Sequence, residues 1–250
     1  MKFEDYFSQQ AQDYARYRPS YPKALFSYLA SVSPNRRLAW DCGTGNGQAA
    51  LGLAEYFEQV VATDASSDQL AQAFQHPKVV YRTEPAEKVS LETGSVSQVT
   101  VAIAVHWFDL EQFYREVRRV LQAGGILAVW TYHLPVIDPA IDAQLMKYYS
   151  DVLAGYWPLR FHYVDERYQT LPFPFEELQC PHFDMTADWD LSQLLGFLSS
   201  WTAAHKYEEE HGHHPIKRIW QELAEAWGEP QQRRFIRWPL YLRVGVTASG

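Results

Sequence analysis

Leu38-Ala39-Trp40-Asp41-Cys42-Gly43-Thr44-Gly45-Asn46-Gly47 joins a short apolar run to a glycine-rich turn, and a helical pattern follows it. The stretch reads as strand, loop, helix. Glycines at alternate positions lack the Cβ atoms that hold a ligand off the backbone, and they permit positive φ where the chain turns. The sub-pattern Gly45-x-Gly47-x-x-Ala50 fits a dinucleotide-binding turn. Asp41 argues against that ligand, because a carboxylate at the strand end faces the place of a pyrophosphate and repels it.

An ammonium group opposite Asp41, with its own carboxylate turned to the loop amides, is favoured on both counts. S-adenosylmethionine carries that arrangement, and Asp41-x-Gly43-x-Gly45-x-Gly47 resembles the first motif of class I S-adenosylmethionine-dependent methyltransferases. The resemblance implies that Gly43, Thr44, Gly45 and Gly47 lie beside the methionine part of the cofactor, whose product form is S-adenosylhomocysteine.

The chain of 250 residues suffices for one α/β domain with a substantial core. Its formal net charge of −8 disfavours nucleic acid and anionic membrane as partners, since both want a basic face. A small-molecule substrate is expected, handled by a monomer or homodimer. Two cysteines, Cys42 and Cys180, make neither a disulfide framework nor a metal-ligand spacing, so no metal is expected. No secretory segment or membrane-length apolar run is present, and a soluble, cytoplasmic protein is expected. Nine Trp and sixteen Tyr exceed the needs of a plain core and suggest aromatic-lined sites.

Working outward, residues 7–22 form a polar, aromatic-rich arm with prolines that stop helix propagation. Helical spacing is expected over 23–32 and again over 47–57. Val60 to Thr63 reads as the second strand, ended by Asp64 and followed by Ala65 and a Ser66 or Ser67 cap. Asp64 lies about twenty residues past the glycines, the spacing at which a carboxylate meets ribose hydroxyls; a plain helix-capping acid is the alternative. A third strand is expected over 79–82. Val99 to Val105 is an apolar run expected as a strand covered on both faces, so the sheet is mostly parallel. His106-Trp107-Phe108-Asp109 then stands at its C-terminal end, where open α/β sheets place ligands.

An amphipathic helix follows over 110–121, with Gly124-Gly125 as its C-cap, and a fifth strand over 126–130. Residues 134–190 lose periodicity beyond a helix at 140–153 and are expected as a substrate-side insert or lid. Helices over 191–203 and 216–227 and an alternating strand over 235–246 close the chain. The organisation expected is a single domain over 1–250: arm and first helix at 1–33, cofactor-binding core at 34–133, insert, then C-terminal helices and closing strand at 191–250.

The arm Phe7…Tyr14…Arg18-Pro19-x-Tyr21-Pro22, the His106-Trp107-Phe108-Asp109 strand end, and Glu116 through Gly124-Gly125 to Trp130-Thr131-Tyr132 are together similar to the trans-aconitate methyltransferase-like group. That resemblance implies a Rossmann-like, doubly wound α/β sheet of seven strands with the last antiparallel, and small-molecule acceptors that include carboxylate oxygens. Where the family often has Asp-Ala after the third strand, this chain has Pro85-Ala86, so backbone near Ala86 and Glu87 is expected to meet the adenine, with Val105 and His106 nearby.

A carboxylate acceptor is already ionised and needs no base, whereas a hydroxyl or amine needs one; His106 is the candidate, with simple packing beside Trp107 as the alternative. Tyr14 and Arg18 are expected to close the cofactor site, unless the arm is only tacked to the surface by its aromatic residues. Tyr21, Trp107, Tyr132, Trp157 and Arg160 are the candidates for substrate contact, with Phe161, Tyr163 and Trp201 as further pocket aromatics. His211-Gly212-His213-His214 reads as a polar loop, Arg233, Arg234, Arg237 and Arg243 as solvated charges, and Cys42 as a small residue in a tight turn. Two rival functions remain at this stage: a non-catalytic S-adenosylmethionine-binding protein and an NAD(P)-dependent oxidoreductase.

Overall fold

The computed structural model describes residues 18–247. Strands β1 (Leu38–Cys42), β2 (Gln59–Asp64) and β3 (Val79–Thr83) alternate with helices α1 (Lys23–Val32), α2 (Gln48–Ala54) and α3 (Ser67–Ala71). Strand β4 (Val96–Ala102), helix α4 (Leu110–Val120) and strand β5 (Leu121–Tyr132) complete the parallel part. Both faces of β1, β2 and β4 are covered, which is why Trp40, Val60, Val99 and Val101 are buried and why these strands read as apolar runs.

The sheet order is β3-β2-β1-β4-β5, with the winding direction reversing between β1 and β4. Strand β8 (Arg234–Val246) pairs antiparallel with β5, from Ile126 against Val246 to Tyr132 against Leu240. Its outer edge receives two segments end to end: β7 (Phe183–Trp189) along the first half, and β6 (Glu176–Glu177) at Gly245 and Val246. Among the described residues eight strands therefore occupy seven positions, and β8 alone runs against the rest. The seven-strand expectation holds in width. The insert, however, is more than a lid, since its second half supplies the outer edge of the sheet.

Several boundaries differ from expectation for physical reasons. Strand β4 stops at Ala102 because Ile103 turns to φ 56, and Val105–Trp107 is a 3-10 turn. The Gly124-Gly125 pair does not cap α4. Leu121 already leads β5, and the register against β4 shifts between Val96 and Gln98, so residues 122–125 bulge out with Gly124 at φ 71. The helix expected over 47–57 ends at Ala54. The one expected over 191–203 divides into α7 (Leu191–Ser199) and α8 (Thr202–His211).

The insert also holds α5 (Pro139–Lys147), capped by the Asp138 side chain on the amides of Ala140 and Ile141, and the short α6 (His162–Asp165). Helix α9 (Trp220–Trp227) precedes β8. The four C-terminal arginines are not free solvated charges: Arg233 pairs with Asp188, Arg234 with Asp138, Arg237 with Asp184 and Arg243 with Glu177. They fasten β8 to the insert. Among the described residues no helix is long and apolar enough to cross a membrane.

Candidate active site

The reversal between β1 and β4 opens a crevice at the C-terminal strand ends, the position where α/β sheets bind ligands. Its floor is the loop from Gly43 to Gly47. All three glycines have positive φ: 66 at Gly43, 55 at Gly45 and 85 at Gly47. A Cβ at Gly43 would lie 2.7 Å from Ala104 Cβ, and one at Gly47 would lie 2.2 Å from Tyr81 Oη. At Gly45 it would meet only Gln69 Oε1, at 3.8 Å. Gly43 and Gly47 are therefore packed against the protein, and Gly45 is the loop glycine with the most room among the described residues.

Part of the loop's hydrogen-bonding capacity is used internally. Thr44 N donates to Thr63 O, Gly47 N to Thr44 O, and Gly45 N to Asp64 Oδ2 at 2.8 Å. Asp64 Oδ1 accepts from Ser66 N at 2.9 Å, while Ser66 caps α3 through Gln69 N. Asp64, half-buried at the end of β2, thus ties the glycine loop to the start of α3. The helix cap itself is Ser66, and Asp64 holds that cap's amide in place.

Asp41 sits deeper than the sequence suggested. It is buried, with Oδ2 accepting from Thr44 Oγ1 at 2.5 Å and Oδ1 from Thr100 Oγ1 at 2.7 Å. Burial raises its pKa to about 6 against the opposing effect of those hydroxyls. It is a charge beneath the loop, acting on the crevice through its field. Both acids lie at the loop that a diphosphate would have to approach.

At the end of β4, His106 is 1% exposed. Its Nδ1 lies 2.8 Å from Tyr168 Oη, and its Nε2 is buried with no hydrogen-bond partner among the described residues. Burial, reinforced by Arg160 and His162, lowers its pKa to about 3. The ring is neutral at pH 7, and its basicity is far below what an efficient general base needs there. Strain marks both ends of this pair: Ile103 precedes His106 at φ 56, and Arg167 and Tyr168 have φ of 56 and 59.

The remaining candidates divide. Val105 is wholly within the core, so its side chain makes no site contact. Arg160 does not stand free to read a substrate; Nη1 donates to the carbonyls of Trp107 and Phe108 and fixes the 3-10 turn. Tyr21 packs edge-on against Trp130 and Phe26. Tyr132 is buried, and its hydroxyl accepts from Arg18 Nη1 at 2.7 Å, while the Arg18 guanidinium lies over the Phe197 ring. Ala65 is exposed, Ala86 is buried, and Glu87 Oε1 accepts from Asp109 N at the start of α4. Tyr14 lies outside the described residues.

An aromatic wall extends from His106 into the insert. Phe161 stands edge-on to His106 at 5.5 Å and stacks on Trp157 at 4.8 Å. Trp157 contacts Tyr149 at 4.6 Å and Trp201 at 5.6 Å. Tyr149 meets His133, the residue after β5, at 4.8 Å. Sequence reasoning missed Tyr168, Tyr149, His133 and Asp165. The usable signal was positional: His133 directly follows β5, the neighbour of the strand whose outgoing turn carries His106.

Residues 40–129 match a family model described as a methyltransferase domain. A protein of Dictyostelium discoideum named as a methyltransferase is 36% identical over 205 residues, covering 80% of this chain and 78% of that one. A protein of Saccharomyces cerevisiae named as an S-adenosylmethionine-dependent methyltransferase is 30% identical over 135 residues, 50% of this chain and 46% of that one. A solved structure described as a type II methyltransferase from Anaeromyxobacter dehalogenans superposes with a TM-score of 0.87 at 42% identity, covering 93% of this chain and 99% of that one.

Proposed function

The chain belongs to the class I S-adenosylmethionine-dependent methyltransferases, and from that premise we propose that it methylates a small molecule bound between the glycine loop and the aromatic wall. S-adenosylmethionine supplies an activated methyl group on a sulfonium. The residues present fit it. Gly45 leaves room where a side chain would intrude, and Asp64 ends β2 beside that loop, the place from which a carboxylate would meet ribose hydroxyls. Backbone at Ala86 and Glu87 would meet the adenine. The buried Asp41 charge would favour the ammonium group and repel a diphosphate. That repulsion, with the relatives named above, removes the nicotinamide reading.

The single observation that carries the small-molecule reading is the wall from His106 through Phe161, Trp157 and Tyr149, built largely from this chain's own insert. Its task is orientation and exclusion of water, and orientation alone supplies about 7–11 kcal/mol of barrier lowering in well-aligned reactions. The net charge of −8 keeps nucleic acid away. Arg18, at the Tyr132 hydroxyl, suits an anionic acceptor such as the carboxylate oxygen implied by the resemblance to trans-aconitate methyltransferase-like enzymes. A second reading, an acceptor that arrives with its proton, is favoured by the pairing of His133 with the Asp165 carboxylate.

The test pairs two measurements. Calorimetry with S-adenosylhomocysteine reports the cofactor site, and incubation of a metabolite extract with methyl-labelled S-adenosylmethionine reports transfer. Labelled small products are expected. Tight binding with no label transferred would leave a non-catalytic binding protein.

A further inference from the structure

Resting on the methyl-transfer reading, we propose that His133, oriented by Asp165, is the general base of the reaction, so that the acceptor is a hydroxyl or amine bearing a proton and not a carboxylate. His133 is the first residue after β5, next to the strand that delivers His106, and the contacts from His133 through Tyr149, Trp157 and Phe161 to His106 place both histidines on one aromatic wall.

The tautomer follows from the partner. His133 Nε2 lies 3.3 Å from Asp165 Oδ1, and an ionised carboxylate can only accept, so the proton of the neutral ring resides on Nε2. Nδ1 is then the lone pair. The Tyr149 hydroxyl donates to the same Asp165 oxygen, which holds the carboxylate in place from a second side. Nucleophile activation by a histidine whose far nitrogen is fixed by a carboxylate is a general catalytic arrangement. His106 lacks this device: its far nitrogen meets a phenol, and no carboxylate offsets its burial.

The side chain of His133 is 22% exposed and that of Asp165 46%, so solvent can take the proton away after each turnover. Among the described residues the charged and titratable groups around His133 are Asp165, Arg167 and Tyr149. Burial and Arg167 lower its pKa, and Asp165 opposes them. Atoms balance simply. The acceptor X–H gives its proton to Nδ1, its electron pair forms the X–CH3 bond, and the bond from methyl to sulfur breaks with its pair left on the thioether. Asp165 stabilises the imidazolium until the proton leaves.

The experiment uses the full chain with methyl-labelled S-adenosylmethionine and a panel of phenols, alcohols, amines and carboxylic acids. Expected are labelled hydroxyl or amine products, a kcat that rises with pH through one ionisation, and a loss of about 10²–10⁴-fold in kcat for His133→Gln at unchanged S-adenosylhomocysteine affinity. Asp165→Asn should move the rising limb to lower pH, because the carboxylate raises the His133 pKa; a merely structural tie would leave it unmoved. Nitrogen-15 NMR of the ring at pH 7 should find Nε2 protonated and Nδ1 bare, a readout independent of any acceptor. A proton on Nδ1, label in carboxylic acids alone, or full kcat in His133→Gln would overturn the proposal. Labelled products formed at the parent rate in His133→Gln overturn the base assignment and leave methyl transfer standing. No labelled product at all, in panel or extract, removes both.

Discussion

The Gly45 amide donates to Asp64 Oδ2 at 2.8 Å, so the acid that ends β2 anchors the glycine loop that follows β1. One residue thus shapes the loop and stands where the ribose is proposed to bind. Asp64→Ala removes a hydrogen bond of the charge-assisted kind, worth about 1.5–3 kcal/mol, along with any bond to the ribose. S-adenosylhomocysteine affinity should fall by about ten- to a hundredfold in calorimetry. Asp64→Asn should lie between, because its one carbonyl oxygen can serve Gly45 or Ser66 but not both. Unchanged affinity in Asp64→Ala would refute the ribose role.

Much of this site was legible because motif and ligand chemistry are local. Asp41, the three glycines and Asp64 lie within one strand-loop-helix-strand unit, and their spacing alone located the crevice. The end of β4 was not legible. Hydropathy continues through Val105, but the backbone reverses at Ile103, and nothing in the side chain of an isoleucine announces positive φ. Asp165 and His133 are joined across an irregular insert where periodicity carries no information. The arginines of β8 looked solvated because their carboxylate partners, Asp138, Asp184, Asp188 and Glu177, lie far away in the chain.

Asp41 makes the binding site costly to the free protein. Its folded pKa of about 6 exceeds its ordinary value of 3.8, so the folded state binds the proton more tightly than the unfolded state between those limits. The contribution is fully present below the lower value and is lost as pH rises through the upper one, on the order of 3 kcal/mol in all. Asp41→Asn should therefore gain melting temperature over the parent as pH rises from 4 to 7. The same variant should bind S-adenosylhomocysteine more weakly and 5′-methylthioadenosine, which lacks the amino-acid tail, equally well. Equal weakening for both ligands would show that Asp41 only shapes the loop.

His106 acts in the opposite direction over the same range. Its folded pKa of about 3 lies below its ordinary value of 6.5, so the unfolded state takes up the proton first. Stability from this residue is present above 6.5 and is lost as pH falls toward 3. His106→Phe fills the ring's place among Trp107, Phe161 and Tyr168 without the unpartnered Nε2. The variant should melt higher than the parent at pH 5, by a margin that shrinks toward pH 7. A parent and variant with parallel pH profiles would exclude a neutral buried histidine.

The loop glycines separate folding from binding. Gly43→Ala meets both a backbone at φ 66 and a contact of 2.7 Å with Ala104 Cβ, which belongs to the turn leading to His106. Neither atom is the end of a flexible side chain, so the loop and that turn must move apart, and a stability loss of about 2–4 kcal/mol is expected in denaturant unfolding. Gly45→Ala bears positive-φ strain of about 1–2 kcal/mol, with no collision nearer than 3.8 Å. Its methyl group projects toward the space assigned to the cofactor. The expected pattern is a modest fall in stability with a tenfold or greater loss of S-adenosylhomocysteine affinity for Gly45→Ala, and a larger fall in stability for Gly43→Ala. If Gly45→Ala binds the cofactor as the parent does, the open side of the loop faces solvent instead of ligand, and the crevice floor has been drawn on the wrong face.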